Sequence, residues 1–234
     1  MNSKINDFKN KNSYKIEDIS ELVEILRSED GCAWDREQTH KSVRNGIIEE
    51  TYEFIEGLDL DDKELMEEEL GDVVFQVFFH AQFAKENGNF DINNVADGIC
   101  KKMIMRHPHV FGDVTVKDSN EVLKNWYDIK NNEKSRSTVE KQLYSVPKTL
   151  PSLIRAEKIL SRYRKEGGTV EKDKDKLIEQ IINKANRLKD GVTSESIGEL
   201  LFSITNLSYV SDINSEQSLY EKNESFVSEK TKEL

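Results

Sequence analysis

Apolar residues recur along the first half of the chain with the period of a helix. Ile16, Ile19, Leu22, Val23 and Leu26 follow the i, i+3, i+4 spacing that buries one stripe of a helix. A turn is predicted over Ser28–Trp34. A second helix follows over Val43–Leu58, with Ile47, Ile48, Tyr52, Phe54 and Ile55 as its apolar members. Asp59–Asp62 reads as a loop. Leu65–Glu86 reads as a third helix whose second half is apolar nearly all round, the signature of a buried helix. Asn87–Asp91 is a predicted turn and Ile92–Arg106 a fourth helix, which Pro108 ends. Glu121–Lys130 is a short fifth helix. Later on, Leu153–Lys165, Lys174–Leu188 and Ser196–Val210 resume the same period, with Gly167 and Gly168 as a break. The tail from Ser211 is polar, with a weak helical stretch near Tyr220–Val227. Few stretches alternate with the period of a strand, and there are only three prolines, so the fold class is all-α.

The predicted organisation is a polar N-terminal tail over 1–15 and a first helical domain over 16–134. A linker over 135–150, marked by Pro147, and a second helical region with a polar tail over 151–234 complete it. The second region looks like an imperfect copy of the first. Ile47-Ile48-Glu49-Glu50-Thr51-Tyr52-Glu53 can be laid on Leu177-Ile178-Glu179-Gln180-Ile181-Ile182-Asn183. Glu68-Glu69-Leu70-Gly71-Asp72 can be laid on Glu195-Ser196-Ile197-Gly198-Glu199, with the small change of register falling between the helices. Two similar but unrelated amphipathic helix pairs would give the same match.

Composition narrows the function. Asp and Glu number 45 against 34 Lys and Arg, a formal charge of −11, which argues against a nucleic-acid polymer or an anionic membrane as partner. The most apolar run, Val73–Ala84, is about 12 residues against the ~20 needed to cross a bilayer. The N-terminus lacks the apolar core of a signal peptide, and two cysteines, Cys32 and Cys100, are too few for a disulfide scaffold. Both observations fit a cytoplasmic protein.

The chemistry lies in the acidic residues. Glu50 and Glu53 are spaced i, i+3 and share a helix face, as do Glu69 and Asp72. Two such helices packed antiparallel would bring four carboxylates together, and a hard cation such as Mg²⁺ is held by a few carboxylates with water and substrate phosphates. The same spacing also fits a solvated acidic face. Other metal or nucleotide schemes fail on the residues. The one Glu-x-x-His, Glu37 to His40, falls at a turn, and there is neither a GxxxxGK[ST] phosphate loop nor an EF-hand loop. Trp34, ahead of the acidic helices, suits either a nucleobase platform or a plug at a helix junction. His107 and His109 flank Pro108, where a turn explains them as well as a metal does.

Five motifs in order then resemble the MazG family of nucleoside triphosphate pyrophosphohydrolases. They are Gly31-Cys32-Ala33-Trp34-Asp35-Arg36-Glu37-Gln38-Thr39, Ile48 to Glu53, Glu68 to Asp72, Arg106-His107-Pro108-His109-Val110-Phe111-Gly112, and Asn125-Trp126 with Ile129-Lys130. The family usually has Pro where this chain has Ala33. The resemblance implies an all-α, MazG-like helical bundle with an internal repeat. It implies cleavage of NTPs or dNTPs to the monophosphate and pyrophosphate with Mg²⁺, or Mn²⁺ in its place, in a homodimer. Carried over, Glu50, Glu53, Glu69 and Asp72 are the metal ligands, and Glu49 is an auxiliary ligand or orients the attacking water. Trp34, Asp35 and Gln38 are the base and sugar contacts. Lys102, Arg106 and Lys130 are cations for the phosphates, or else ordinary surface bases. Two further readings stand beside this one, a non-catalytic nucleotide- or partner-binding module and a base-selective dUTPase- or dCTPase-like enzyme. In the second copy Glu50, Glu53 and Glu69 map to Gln180, Asn183 and Ser196, and only Asp72 maps to an acid, Glu199. That copy is expected to fold without hydrolysing.

Overall fold

A computed structural model describes residues 3–133 and 138–232. Among the described residues there are thirteen α-helices and no strand, so the chain is all-α. It divides into two compact units, Met1–Lys117 and Asp118–Leu234.

The first unit holds α1 (Ser3–Lys9), α2 (Asp18–Arg27), α3 (Ala33–Glu37), α4 (Gly46–Leu60), α5 (Lys63–Glu86), α6 (Ile92–Arg106) and α7 (Pro108–Phe111). Its centre is the hairpin of α4 and α5. The connection is only Asp61 and Asp62, shorter than the expected loop, because each aspartate has a task. Asp61 takes the left-handed conformation at the end of α4, which a short polar side chain tolerates. Asp62 caps α5, accepting from the backbone N–H of Glu64 and Leu65 at 3.1 Å each. Gly57 is buried where the two helices approach, since a Cβ there would lie 3.1 Å from Met66. The core is Val23 of α2 against Phe79 and Phe83 of α5, with Ile19, Val43, Phe75 and Phe78 around it. The apolar second half of α5 is thus the buried element that its all-round pattern implies. At the other end Asp91 and Asn94 form a capping box that starts α6. Pro108 ends α6 and opens α7, where its missing N–H is harmless.

The second unit holds α8 (Ser119–Glu133), α9 (Val139–Tyr144), α10 (Ser152–Lys165), α11 (Lys174–Arg187), α12 (Ser194–Val210) and α13 (Ser215–Thr231). Three segments differ from the sequence expectation. The helix of Trp126 and Lys130, expected with the first domain, falls in the second compact unit. Tyr127 donates to Glu166 at 3.1 Å and Lys165 lies over the Tyr127 ring, which ties α8 to the α10 end. The expected linker carries α9, whose Gln142 is buried along with Val146, and Arg162 of α10 donates to the Gln142 carbonyl at 2.8 Å. Positions 135–137 of that linker lie outside the described residues. The polar tail forms α13, started by the Asn214 cap and held by Glu157 of α10, which accepts from both the N–H and the hydroxyl of Ser215. Helices α11 and α12 pair as α4 and α5 do, with Leu177 fully buried.

Candidate metal centre

Helices α4 and α5 carry the acidic residues, and their pairing brings three of them together. Glu50, Glu69 and Asp72 each offer a carboxylate oxygen, and these oxygens lie within 4.8 Å of one another. This is the only such group of acidic, histidine or cysteine ligands among the described residues. Glu69 is 7% exposed, and its Oε2 has no hydrogen-bond partner among the described residues. A buried, unpartnered carboxylate oxygen is costly unless something cationic completes it. Glu53 stands outside this triad and is exposed, but its charge reaches both Glu50 and Glu69. Glu49 is exposed beside Glu50.

The charges report the same geometry. Burial pushes the Glu69 carboxyl above its ordinary range, and the charges of Glu53, Asp72 and Glu50 push it further. Burial also raises Glu50, with Asp72 and Glu53 adding to the shift, while a hydrogen bond from the Gln76 amide pulls it back. Gln76 is a site residue that the sequence reading missed. It lies one turn beyond Asp72, inside the apolar run, where a polar residue was the available signal. Its amide packs against Gly46 so closely that a Cβ at Gly46 would meet Nε2 at 2.7 Å. The cluster suits a hard divalent cation, for it offers oxygen ligands, crowded like charges and one orphaned buried oxygen.

The other predicted residues fall into three places. Trp34, Asp35 and Gln38 sit together on and beside α3, with the Trp34 side chain 61% exposed. Gln38 is engaged locally, donating to the Trp34 carbonyl at 2.8 Å and accepting from Ser42 at 2.7 Å. Arg27 fastens this segment. Its guanidinium donates to the backbone carbonyls of Asp35 and Gln38 and pairs with Glu86 of α5 through both Nε and Nη2, over the face of Phe83. Lys102 and Arg106 are on α6, half-buried and buried respectively. Lys130 lies in the second unit, its ammonium 4.5 Å from the centre of the Trp126 ring. His107 belongs to no group of metal ligands among the described residues; its Nδ1 donates to the Met103 carbonyl at 2.6 Å, a turn contact at the end of α6.

In the second hairpin the equivalent positions do other work. Ser196 forms a capping box with Thr193. Glu199 faces Lys184 at 3.8 Å, and the Lys184 ammonium donates to Ser203 at 2.9 Å.

Fold and site together define an all-α protein built around a two-helix carboxylate cluster. Residues 38–111 match the family described as the MazG nucleotide pyrophosphohydrolase domain. The chain is 39% identical over 215 residues to the nucleoside triphosphate pyrophosphohydrolase/pyrophosphatase MazG of Thermotoga maritima, covering 90% of this chain and 82% of that protein. It is 36% identical over 221 residues to the nucleoside triphosphate pyrophosphohydrolase of Escherichia coli K12, covering 91% of this chain and 84% of that one. A 51% identity over 138 residues to the Bacillus subtilis protein YabN covers 59% of this chain but spans only 28% of YabN. The chain belongs to the MazG family of nucleotide pyrophosphohydrolases, which are hydrolases of phosphoric anhydrides.

Proposed function

We propose that this chain hydrolyses nucleoside triphosphates to the monophosphate and pyrophosphate, with Mg²⁺ held by Glu50, Glu53, Glu69 and Asp72 and Mn²⁺ as a substitute. The observation that carries this reading is the triad of carboxylates with oxygens within 4.8 Å of one another, one of them Glu69, whose buried Oε2 has no hydrogen-bond partner among the described residues. The names of the Thermotoga and Escherichia coli relatives supply the reaction class. When bound, the cation neutralises charge on phosphate oxygens and lowers the pKa of a coordinated water. Within the chain, Glu49 orients the attacking water and accepts its proton, for attack at the α-phosphorus. A hydrogen bond from Gln76 favours the ionised form of Glu50 against its crowded neighbours. Trp34 offers an exposed ring for the base, and Asp35 and Gln38 flank it. Lys102 and Arg106 offset charge on the departing pyrophosphate.

We further infer a homodimer. Ile48, Tyr52 and Ile55 form an i, i+4, i+7 stripe on α4 that is 46%, 52% and 37% exposed, beside an exposed Leu70 on α5. Apolar residues that recur on one helix face call for a partner surface. No described helix is long and apolar enough to cross a membrane, and with two free cysteines this supports a cytoplasmic setting.

Pyrophosphate release from a panel of ribo- and deoxyribonucleoside triphosphates, in Mg²⁺ and in EDTA, tests the reading. Release that needs Mg²⁺ and disappears in Asp72→Asn supports it. No release from any nucleotide would leave a binding module instead.

A further inference from the structure

Two histidines outside the metal centre form a contact that the proposed chemistry does not use. Nδ1 of His40, in the segment between α3 and α4, lies 2.9 Å from Nδ1 of His80 on α5. The ring planes are within 10° and the centroids 5.1 Å apart. Parallel planes joined by a 2.9 Å contact are no further apart than that contact. Most of the 5.1 Å is therefore lateral, and the imidazoles meet edge to edge. This is the geometry of an in-plane N–H···N hydrogen bond, in which one Nδ1 donates and the other accepts. The bond needs one proton between the rings. A first added proton goes to the distant Nε2 of the donor and keeps the bond. A second must take the accepting Nδ1, which breaks the bond and sets two cations side by side.

The surroundings assign the roles. His40 is exposed and His80 half-buried, so the neutral form is favoured at His80, which is the acceptor. Burial, and then the charge of His40, holds the His80 imidazole below its ordinary range. Phe83 stands nearly perpendicular to both rings, at 5.3 and 5.7 Å, and presents its face to the Arg27 guanidinium. Arg27 from α2 and Glu86 from α5 pair with one another beside Phe83, Lys41 is the exposed chain neighbour of His40, and the charge that acts on His80 is that of His40. Arg27 holds the carbonyls of Asp35 and Gln38, and His40 follows two residues on. The Trp34 segment is thus fastened to α5 at two points. One is a permanent ion pair and the other a bond that depends on protonation.

We infer that His40, His80 and Arg27 are positioning residues for the nucleotide, and that the proton shared by the two imidazoles makes the hold on the Trp34–Gln38 segment depend on pH. This rests on the reading of Trp34 as the base platform. The sign follows from the acceptor. The bond is complete above the ordinary histidine value of about 6.5 and is lost as pH falls through the lowered value of His80.

Hydrogen exchange of the full chain, followed by mass spectrometry over residues 33–45 and corrected for intrinsic rates, tests the anchor without reference to turnover. Wild type should lose protection in this segment between about pH 7.5 and about pH 5. The variant His40→Ala, at an exposed position, should be less protected already at the higher pH, with little further change. In His80→Asn an amide oxygen still accepts from His40 but does not titrate, so protection should persist at both pH values. In the nucleotide assay at neutral pH, His40→Ala should raise KM about fivefold, with kcat within about twofold, the change that one ordinary hydrogen bond supports. Equal protection of wild type at both pH values, or a fall in kcat with KM unchanged, overturns the inference. If wild type turns over no nucleotide, the proposed function fails, while the exchange experiment still decides whether the pair anchors the segment.

Discussion

Replacing Gly46 by Ala tests how the carboxylate cluster is tuned. Gly46 opens α4, and a Cβ there would meet the Gln76 amide nitrogen at 2.7 Å and its carbon at 3.2 Å. Both atoms are at the end of a flexible side chain, so the amide yields and the helix stands. Ordinary contact distance requires Nε2 to retreat by about 0.7 Å, which weakens the hydrogen bond that favours the ionised form of Glu50. A hydrogen bond to a charged group contributes about 1.5–3 kcal/mol, and the partial exposure of Glu50 reduces this to about 1 kcal/mol. The cluster should then bind Mg²⁺ more weakly, by up to about fivefold, because the ionised form of Glu50 is less favoured. Alanine exceeds glycine in helix propensity by up to about 1 kcal/mol, so thermal stability should stay level or rise slightly. Calorimetric titration of Mg²⁺ at neutral pH, beside a melting curve, reads both quantities. Gln76→Leu is the matched control and should weaken binding to a similar degree. Unchanged affinity in both variants would refute the role given to Gln76, and unfolding of Gly46→Ala would refute the claim that the amide yields.

Three further outcomes are expected. Glu53→Gln and Asp72→Asn should abolish pyrophosphate release with the helical circular dichroism spectrum intact, since both side chains are exposed and serve no described packing. Glu199→Gln should leave turnover near wild type, and a large loss with an intact spectrum would show that the second hairpin takes part in catalysis. Metal-free protein should lose stability as pH rises past the ordinary carboxylate value of 4.5, because Glu50 and Glu69 hold protons more tightly folded than unfolded. Melting curves should therefore show a larger gain on adding Mg²⁺ at pH 7 than at pH 5, and an equal gain at both would contradict the crowded cluster.

What the sequence reveals and what it hides divide along the range of the interactions. Helices α2, α5, α6 and α10 are legible because burial imposes a local period, and Val23, Phe79 and Phe83 mark it directly. The acidic pairs are legible for the same reason, since i, i+3 spacing fixes a shared face. That spacing does not say which member turns inward, and here Glu50 joins the triad while Glu53 stays in solvent. Helix α9 is short and α13 only weakly patterned, and both depend on distant partners. Glu157 receives Ser215 across 58 residues, and Arg162 reaches the Gln142 carbonyl across 20. Nothing in the local pattern announces either contact. Arg27 and the two histidines were invisible for the same reason, because each gains its role only when α2, α5 and the segment after α3 meet.

The two hairpins carry a similar apolar pattern and different polar chemistry. In the first, three carboxylates crowd a site whose like charges favour protonation, so folding leaves a demand for an added cation. In the second, Ser196 aligns with the buried Glu69 and is absorbed into the start of its helix, where no such demand arises. The remaining acid, Glu199, has Lys184 beside it, and the same ammonium reaches Ser203, the position that aligns with Gln76. A hairpin that supplies its own cation has no electrostatic need for a divalent ion. Leu177 remains fully buried there, while the neighbouring Ile178, Ile182, Leu201 and Phe202 are exposed. The two hairpins thus share an apolar pattern, and only the first gathers a carboxylate triad among the described residues.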